Sequence, residues 1–207
     1  MAKHDQVLAE LARALPDDRE ALLDAAKGAV CQFHEAAIVE DMAAFEQARL
    51  LREAITWKLN GGSSFGTNAG ENSPGYVVER HCAATPGEVP MWGQRGQFII
   101  TVRGIRAMID SGDSFGFGMC HFSFHAVDRS KPFISETGYR SHFMPFPFGY
   151  TVKEAAEAVL EEFIESQGRK VIEPRYRDRE IPSWIEANDI VAPATYQETN
   201  GQGAFGF

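Results

Sequence analysis

The chain has 207 residues and is 44% hydrophobic with 15 Phe, enough to bury a sizeable core and too apolar for a disordered chain. No segment approaches the roughly 20 apolar residues of a membrane span, and the start Met-Ala-Lys-His-Asp-Gln has no apolar run behind a basic cluster, so a cytoplasmic protein with no membrane partner is expected. The net charge of −9 sets a field that repels phosphates and disfavours broad, non-specific binding to nucleic acid.

That charge is uneven. Lys and Arg stand against Asp and Glu as 7 to 11 in residues 1–60, 7 to 7 in 61–150 and 6 to 11 in 151–207. The neutral middle holds Arg95, Arg103, Arg106, Arg129 and Arg140, which leaves a local basic patch open. Cys31, Cys82 and Cys120 are odd in number and lack framework spacing, as for reduced thiols.

Residues 5–14 predict a short helix ended by Pro16. Asp17, with Glu20 three residues on and Ala21, Leu22 and Leu23 after it, predicts a capping box and a second helix. From about Glu35 to Leu59 the apolar Ile38, Met42, Phe45, Leu50, Ile55 and Trp57 recur among good helix formers, and Asn60-Gly61-Gly62 supplies a stop. Residues 1–60 thus read as a helical hairpin. Residues 61–96 read as a loop-rich connector containing a short strand, Tyr76 to Arg80, and a turn at Pro90-Met91-Trp92-Gly93. Its Gly-Gly-Ser-Ser-Phe-Gly-Thr run resembles a phosphate cradle only in composition, because no Lys follows and no clear strand precedes it.

Over 97–168 the period changes. Gln97 to Ile109 predicts one strand by its β-branched content, Asp110-Ser111-Gly112-Asp113 turns the chain into Phe115 to Val127, and Asp128 to Pro132 turns it again into Phe133 to Phe143. This is a three- to four-stranded antiparallel meander. Thr151 with Glu154 is a further capping-box pattern, for a helix that runs to Gln167 and is capped by Gly168. Residues 169–207, with Pro174, Pro182 and Pro193, form an irregular arm anchored by Trp184 and Ile185, ending in a tail, Gln202 to Phe207, that either frays or docks. The fold class is α+β, a single domain over 1–207 with helices on one sheet face.

The sheet carries the candidate chemistry. In Phe115 to Asp128, Phe122, Phe124 and Ala126 fall on one face and His121, Ser123 and His125 on the other. Pairing Val127 with Pro132 adds Glu136, Arg140 and His142 to the histidine face and Phe133 and Tyr139 to the aromatic one. Such a face suits general acid–base chemistry by His125 and Glu136, or an anion held by Arg140. A wet, inert sheet face is the bland alternative. His121 and His125 lie roughly 13 Å apart on a strand, too far to share an ion. Cys31 with His34, and His81 with Cys82, have no second pair at zinc spacing, so no metal or cofactor is expected. No nucleophile elbow, dinucleotide fingerprint or His-Glu-x-x-His motif is present. Glu157, Glu161 and Glu165 continue a stripe begun by Glu154 on the last helix, either a solvated face or a mimic of a phosphate backbone.

Trp57-Lys58-Leu59-Asn60-Gly61-Gly62, His121-Phe122-Ser123-Phe124-His125 and Thr137-Gly138-Tyr139-Arg140-Ser141 together resemble uncharacterised accessory proteins carried by bacterial plasmids and integrative elements. The resemblance implies a part in maintenance of the element or in escape from host defence, and carries over no site. The expected function is a non-catalytic intracellular protein that binds a partner protein through its acidic helices or its histidine–arginine sheet face. The alternatives are an enzyme using His125 and Glu136 on a phosphate- or carboxylate-bearing substrate, and a nucleic-acid binder using the central arginines.

Overall fold

The computed structural model describes residues 3–112, 118–180 and 182–185. Four helices, α1 (Lys3–Ala12), α2 (Arg19–Ile38), α3 (Met42–Leu59) and α4 (Pro74–Cys82), precede an antiparallel sheet, and α5 (Val152–Gln167) follows it. The strands β1 (Gly96–Val102), β2 (Ile105–Ser111), β3 (Met119–Ala126) and β4 (Tyr139–Pro145) lie in the order β1-β2-β3-β4. The architecture is α+β, as the sequence indicates. The tail Gln202–Phe207 lies outside the described residues.

Local chemistry sets the helix ends. Asp18, not Asp17, caps α2 by accepting the Ala21 amide at 2.9 Å. Asp17 instead meets Lys58 Nζ at 2.8 Å, and the same ammonium donates to the Ala12 and Leu15 carbonyls at 3.1 and 2.7 Å. One lysine at the end of α3 thus satisfies carbonyls freed where α1 stops. The helix expected to begin near Glu35 is divided: Glu35–Ile38 finish α2, Glu40 takes a left-handed φ of 60°, and Asp41 caps α3 through the Ala43 and Ala44 amides. The Thr151–Glu154 capping box and the Gly168 cap of α5 are formed.

Three strand expectations are corrected. Tyr76 to Arg80 is helical, within α4, because Ser73 and Pro74 start a helix that the β-branched Val77 and Val78 only mildly disfavour. Gln97 to Ile109 is two strands, folded at Arg103-Gly104 with φ of 49° and 77°, the two positive values of a type I′ hairpin turn. Phe133 does not open β4. With Ile134 it is buried in the core, and it pairs with Lys170 through Phe133 N to Lys170 O at 2.8 Å and the reverse bond at 2.6 Å.

The last correction moves the register. His125 pairs with Tyr139 and Ser123 with Ser141, five positions from the expected partners, and an odd shift turns every β4 side chain to the other face. The inward face carries Phe98, Ile100, Ala107, Ile109, Cys120, Phe122, Phe124 and Ala126, and packs on α5 and on Phe33 and Phe45 of α2 and α3. A separate cluster of Leu22, Val30, Ile55, Val78 and Cys82 binds the helices together. On the outward face Met108 and Val127 pack with Ile185, and Trp184 lies against them, so the arm is anchored there as expected.

Phe124→Ala removes a fully buried ring that meets both Phe122 and Phe163 edge-on. It is expected to lower the unfolding free energy by about 3–5 kcal/mol, against about 1 kcal/mol or less for the outward-facing His121→Ala, measured by urea denaturation.

Candidate functional site

The outward sheet face is built from rows fixed by the register. One runs Gln97, Asp110, Ser123, Ser141 and the next Ile99, Met108, His125, Tyr139, with His121 opposite Phe143. Gln97 donates to Asp110 at 3.0 Å, the Ser123 and Tyr139 hydroxyls are 3.3 Å apart, and His121 Nε2 meets Ser141 Oγ at 2.7 Å. The His121 ring stacks on Phe143, which is 67% exposed at the β4 edge. His121, Ser123 and His125 therefore share a face, as expected.

Their expected companions lie elsewhere. Arg140 and His142 point to the inward side, where the Arg140 guanidinium sits 3.9 Å above the Phe163 ring and donates to Gln167 at 2.7 Å, and His142 meets Phe163 edge-on at 5.2 Å. Glu136 is exposed in the loop before β4, and no hydrogen bond or ion pair joins it to His125 among the described residues. The His125–Glu136 dyad is thus not assembled. On α5, Glu161 and Glu165 are held by Arg103 at the β1–β2 turn, with Arg103 to Glu161 at 2.7 Å, while Glu157 lies 3.8 Å from Lys153. The acidic stripe is largely compensated within the chain. Among the described residues no three His, Cys, Asp or Glu side chains come together as metal ligands.

Burial holds three histidines below their ordinary value. His34 is desolvated against the weaker pull of Glu35, and its Nδ1 accepts the Trp92 amide at 3.1 Å, which requires the neutral ring. His125 is desolvated, with Asp110 opposing and Arg129 and Arg179 adding to the effect. His142 is desolvated, with Glu162 opposing and Arg140 and His121 adding. Burial also raises the Cys120 thiol to about 11, so it is inert as a nucleophile at neutral pH.

A cleft of about 830 Å³ between α1, α3, α4 and the 60–73 loop has no counterpart in the sequence pattern. Phe45, Trp57 and Tyr76 line it beside Arg49, Arg52 and Asn68. Arg49 is clamped by Glu46 at 2.7 Å and Glu53 at 3.1 Å, and Trp57 Nε1 is sealed from solvent without a hydrogen-bond partner among the described residues. Beside the cleft, α4 exposes Tyr76 and Arg80 one turn apart, and the preceding loop exposes Phe65 and Asn68. An aromatic, an arginine and an amide on a short helix and its leading loop form a surface able to contact bases and phosphates.

The helical half and the sheet half match separate family models. Residues 7–81 match the family model described as the KlcB N-terminal DNA-binding domain, and residues 95–184 match the KlcB third domain. One Protein KlcB of Escherichia coli is 46% identical over 192 residues, covering 90% of this chain and 47% of that protein. A second, also from Escherichia coli, is 41% identical over 186 residues, covering 87% of this chain and 40% of that protein. The chain spans less than half the length of these curated relatives. No solved structure matches it.

Because the folded chain protonates His34, His125 and His142 less readily than the unfolded chain, their stabilising effect is present above the ordinary value of 6.5 and is lost as pH falls below it. The urea midpoint is expected to drop between about pH 7.5 and about pH 5, and His142→Gln, which does not titrate, to reduce that drop. Over most of its length, through two consecutive family models, this chain is similar to KlcB.

Proposed function

We propose that this chain is a non-catalytic DNA-binding accessory protein whose α4 and leading loop meet the duplex. The observation that carries the reading is the match of residues 7–81, which end within α4, to a family model described as a DNA-binding domain. It favours nucleic acid, which net charge disfavoured, over the protein partner expected at the acidic helices or the sheet face, and it agrees with the resemblance to accessory proteins of mobile elements. The separation of His125 from Glu136 supports the non-catalytic part. The compensated Glu161 and Glu165 weaken the case for the acidic stripe as a docking face.

α4 sets an exposed aromatic beside an exposed arginine. Arg19 at the start of α2 is also exposed without an ion pair among the described residues, but Phe33 of that helix is buried. Arg13 pairs with Glu10, and Lys27 lies 3.9 Å from Asp24. Arg49 is held by two glutamates and Lys58 by Asp17. Among the described residues Arg80 has the Glu71 carbonyl as its hydrogen-bond partner, which leaves its remaining N–H groups for an acceptor. Binding is tested with fluorescein-labelled duplex DNA titrated with the full chain at several salt concentrations. Tyr76→Ala and Arg80→Ala are each expected to weaken binding roughly tenfold, within the range of about 1–3 kcal/mol for a single base contact, with the melting temperature preserved. Absence of any anisotropy change with wild-type protein at low salt overturns the reading.

A further inference from the structure

A DNA-binding reading meets an electrostatic problem. Residues 7–81 carry 7 Lys and Arg against 12 Asp and Glu, so the stretch matched to the DNA-binding domain is itself acidic, whereas affinity for a duplex depends on phosphate neutralisation. The chain's densest basic run lies elsewhere. Residues 169–179 hold Arg169, Lys170, Arg175, Arg177 and Arg179 against Glu173 and Asp178.

The fold gathers part of this run around Tyr176, in the 3-10 turn Pro174–Tyr176 that follows α5. Arg129, from the segment after β3, donates through Nη1 to the Tyr176 carbonyl at 3.1 Å. The Arg175 and Arg179 guanidinium carbons lie 4.7 and 5.0 Å from the centre of the Tyr176 ring. Three arginines from two segments thus share one tyrosine.

Their counter-charges are few. Arg175 is held by Glu173 at 2.8 Å, but neither Arg129 nor Arg179 has a carboxylate within ion-pair distance among the described residues. Arg129 also has its Nε sealed from solvent with no hydrogen-bond partner among those residues. Burial and the charge of Arg179 lower the Arg129 pKa, and both arginines act on His125 in the same sense, so their fields converge at this end of the outward sheet face. In a chain of net charge −9, acidic side chains are plentiful, yet this cluster is left short of them. Neighbouring arginines are used inside the fold: Arg177 Nε donates to the Ile172 carbonyl at 2.9 Å, and Arg169 donates to the Arg103 carbonyl. Arg129 commits only Nη1 in this way, and the exposed Arg179 makes no such bond among the described residues. Guanidinium groups lying on an aromatic ring keep their N–H edges directed outward, the geometry that takes phosphate oxygens two at a time.

We infer that Arg129, Arg175 and Arg179 around Tyr176 form a DNA phosphate-binding surface, so that the sheet half supplies the backbone contacts that the acidic helical half lacks. The inference rests on the DNA-binding reading and adds to it a second surface, built from the segments after β3 and α5.

The test uses the full chain and a labelled mixed-sequence duplex, with affinity measured by anisotropy across a range of potassium chloride concentrations. The double variant Arg129→Gln, Arg179→Gln is expected to bind roughly 10- to 100-fold more weakly at low salt, and to flatten the slope of log K against log salt by about 2, since each phosphate that a cation neutralises adds roughly 0.9 to that slope. Arg13→Gln with Arg19→Gln, just after α1 and at the start of α2, should leave the slope unchanged. Because Arg129 is half-buried, the exposed single variant Arg179→Glu serves if the double variant melts early, and it should weaken binding in the same direction. If wild-type protein binds and both sets of variants keep its affinity and slope, this surface does not touch DNA while the DNA-binding reading stands. If wild-type protein does not bind, both fall.

Discussion

A continuous run of aromatic rings holds the molecule together. Phe163 of α5 meets Phe124, Phe124 meets Phe122, Phe122 meets Trp92, Trp92 meets Phe146, and Phe146 meets Phe33 and Phe45 of the helical hairpin, at centroid separations of 4.7 to 6.2 Å. Offset and edge-on contacts of this kind add to simple burial, and each ring is fixed by two neighbours. Trp92 is the join. Its backbone amide donates to His34 of α2 and its indole to the Tyr150 carbonyl ahead of α5, so one fully buried residue satisfies groups from both halves. The two stretches matched by separate family models therefore share one hydrophobic core, with Trp92 in the interval between them.

Charge is handled differently in the two halves. In the helices, several basic side chains meet a carboxylate, as Lys58 meets Asp17 while also donating to the Ala12 and Leu15 carbonyls. In the sheet half, Arg103 occupies a left-handed backbone position that disfavours a non-glycine residue, and its side chain reaches Glu161 and Glu165 on α5. That ion pair locks the first hairpin to the helix that covers it. Arg129 and Arg179 near Tyr176 have no carboxylate at ion-pair distance among the described residues, a local difference that net charge does not reveal.

The sequence was legible where a single local rule decided the outcome. Thr151 with Glu154 and Gly168 marked both ends of α5, the alternation through Phe122 and Phe124 identified the inward face of β3, and Trp184 and Ile185 stood out as anchors. It was illegible where tertiary context chose between local options. Arg103-Gly104 is a less familiar hairpin pair than Asn-Gly, so β1 and β2 read as one strand. Val77 and Val78 suggested a strand although Ser73 and Pro74 start a helix. The β4 register failed because Phe133 and Ile134, apolar enough to begin a strand, are drawn into the core beside Ile172. That single choice split the expected polar face, taking Arg140 and His142 inward. The arginine cluster was hidden by averaging, since residues 151–207 count as acidic although 169–179 are basic.

The placement of Trp92 has a bearing on how such a chain can vary. Its amide and its indole are satisfied by atoms from opposite halves, so a residue added or removed immediately beside Trp92 displaces both bonds together. Substitutions on the exposed positions of that interval, such as Thr85, Glu88 or Val89, disturb nothing comparable. Chain length immediately around Trp92 is thus constrained more strictly than composition along the exposed part of the interval.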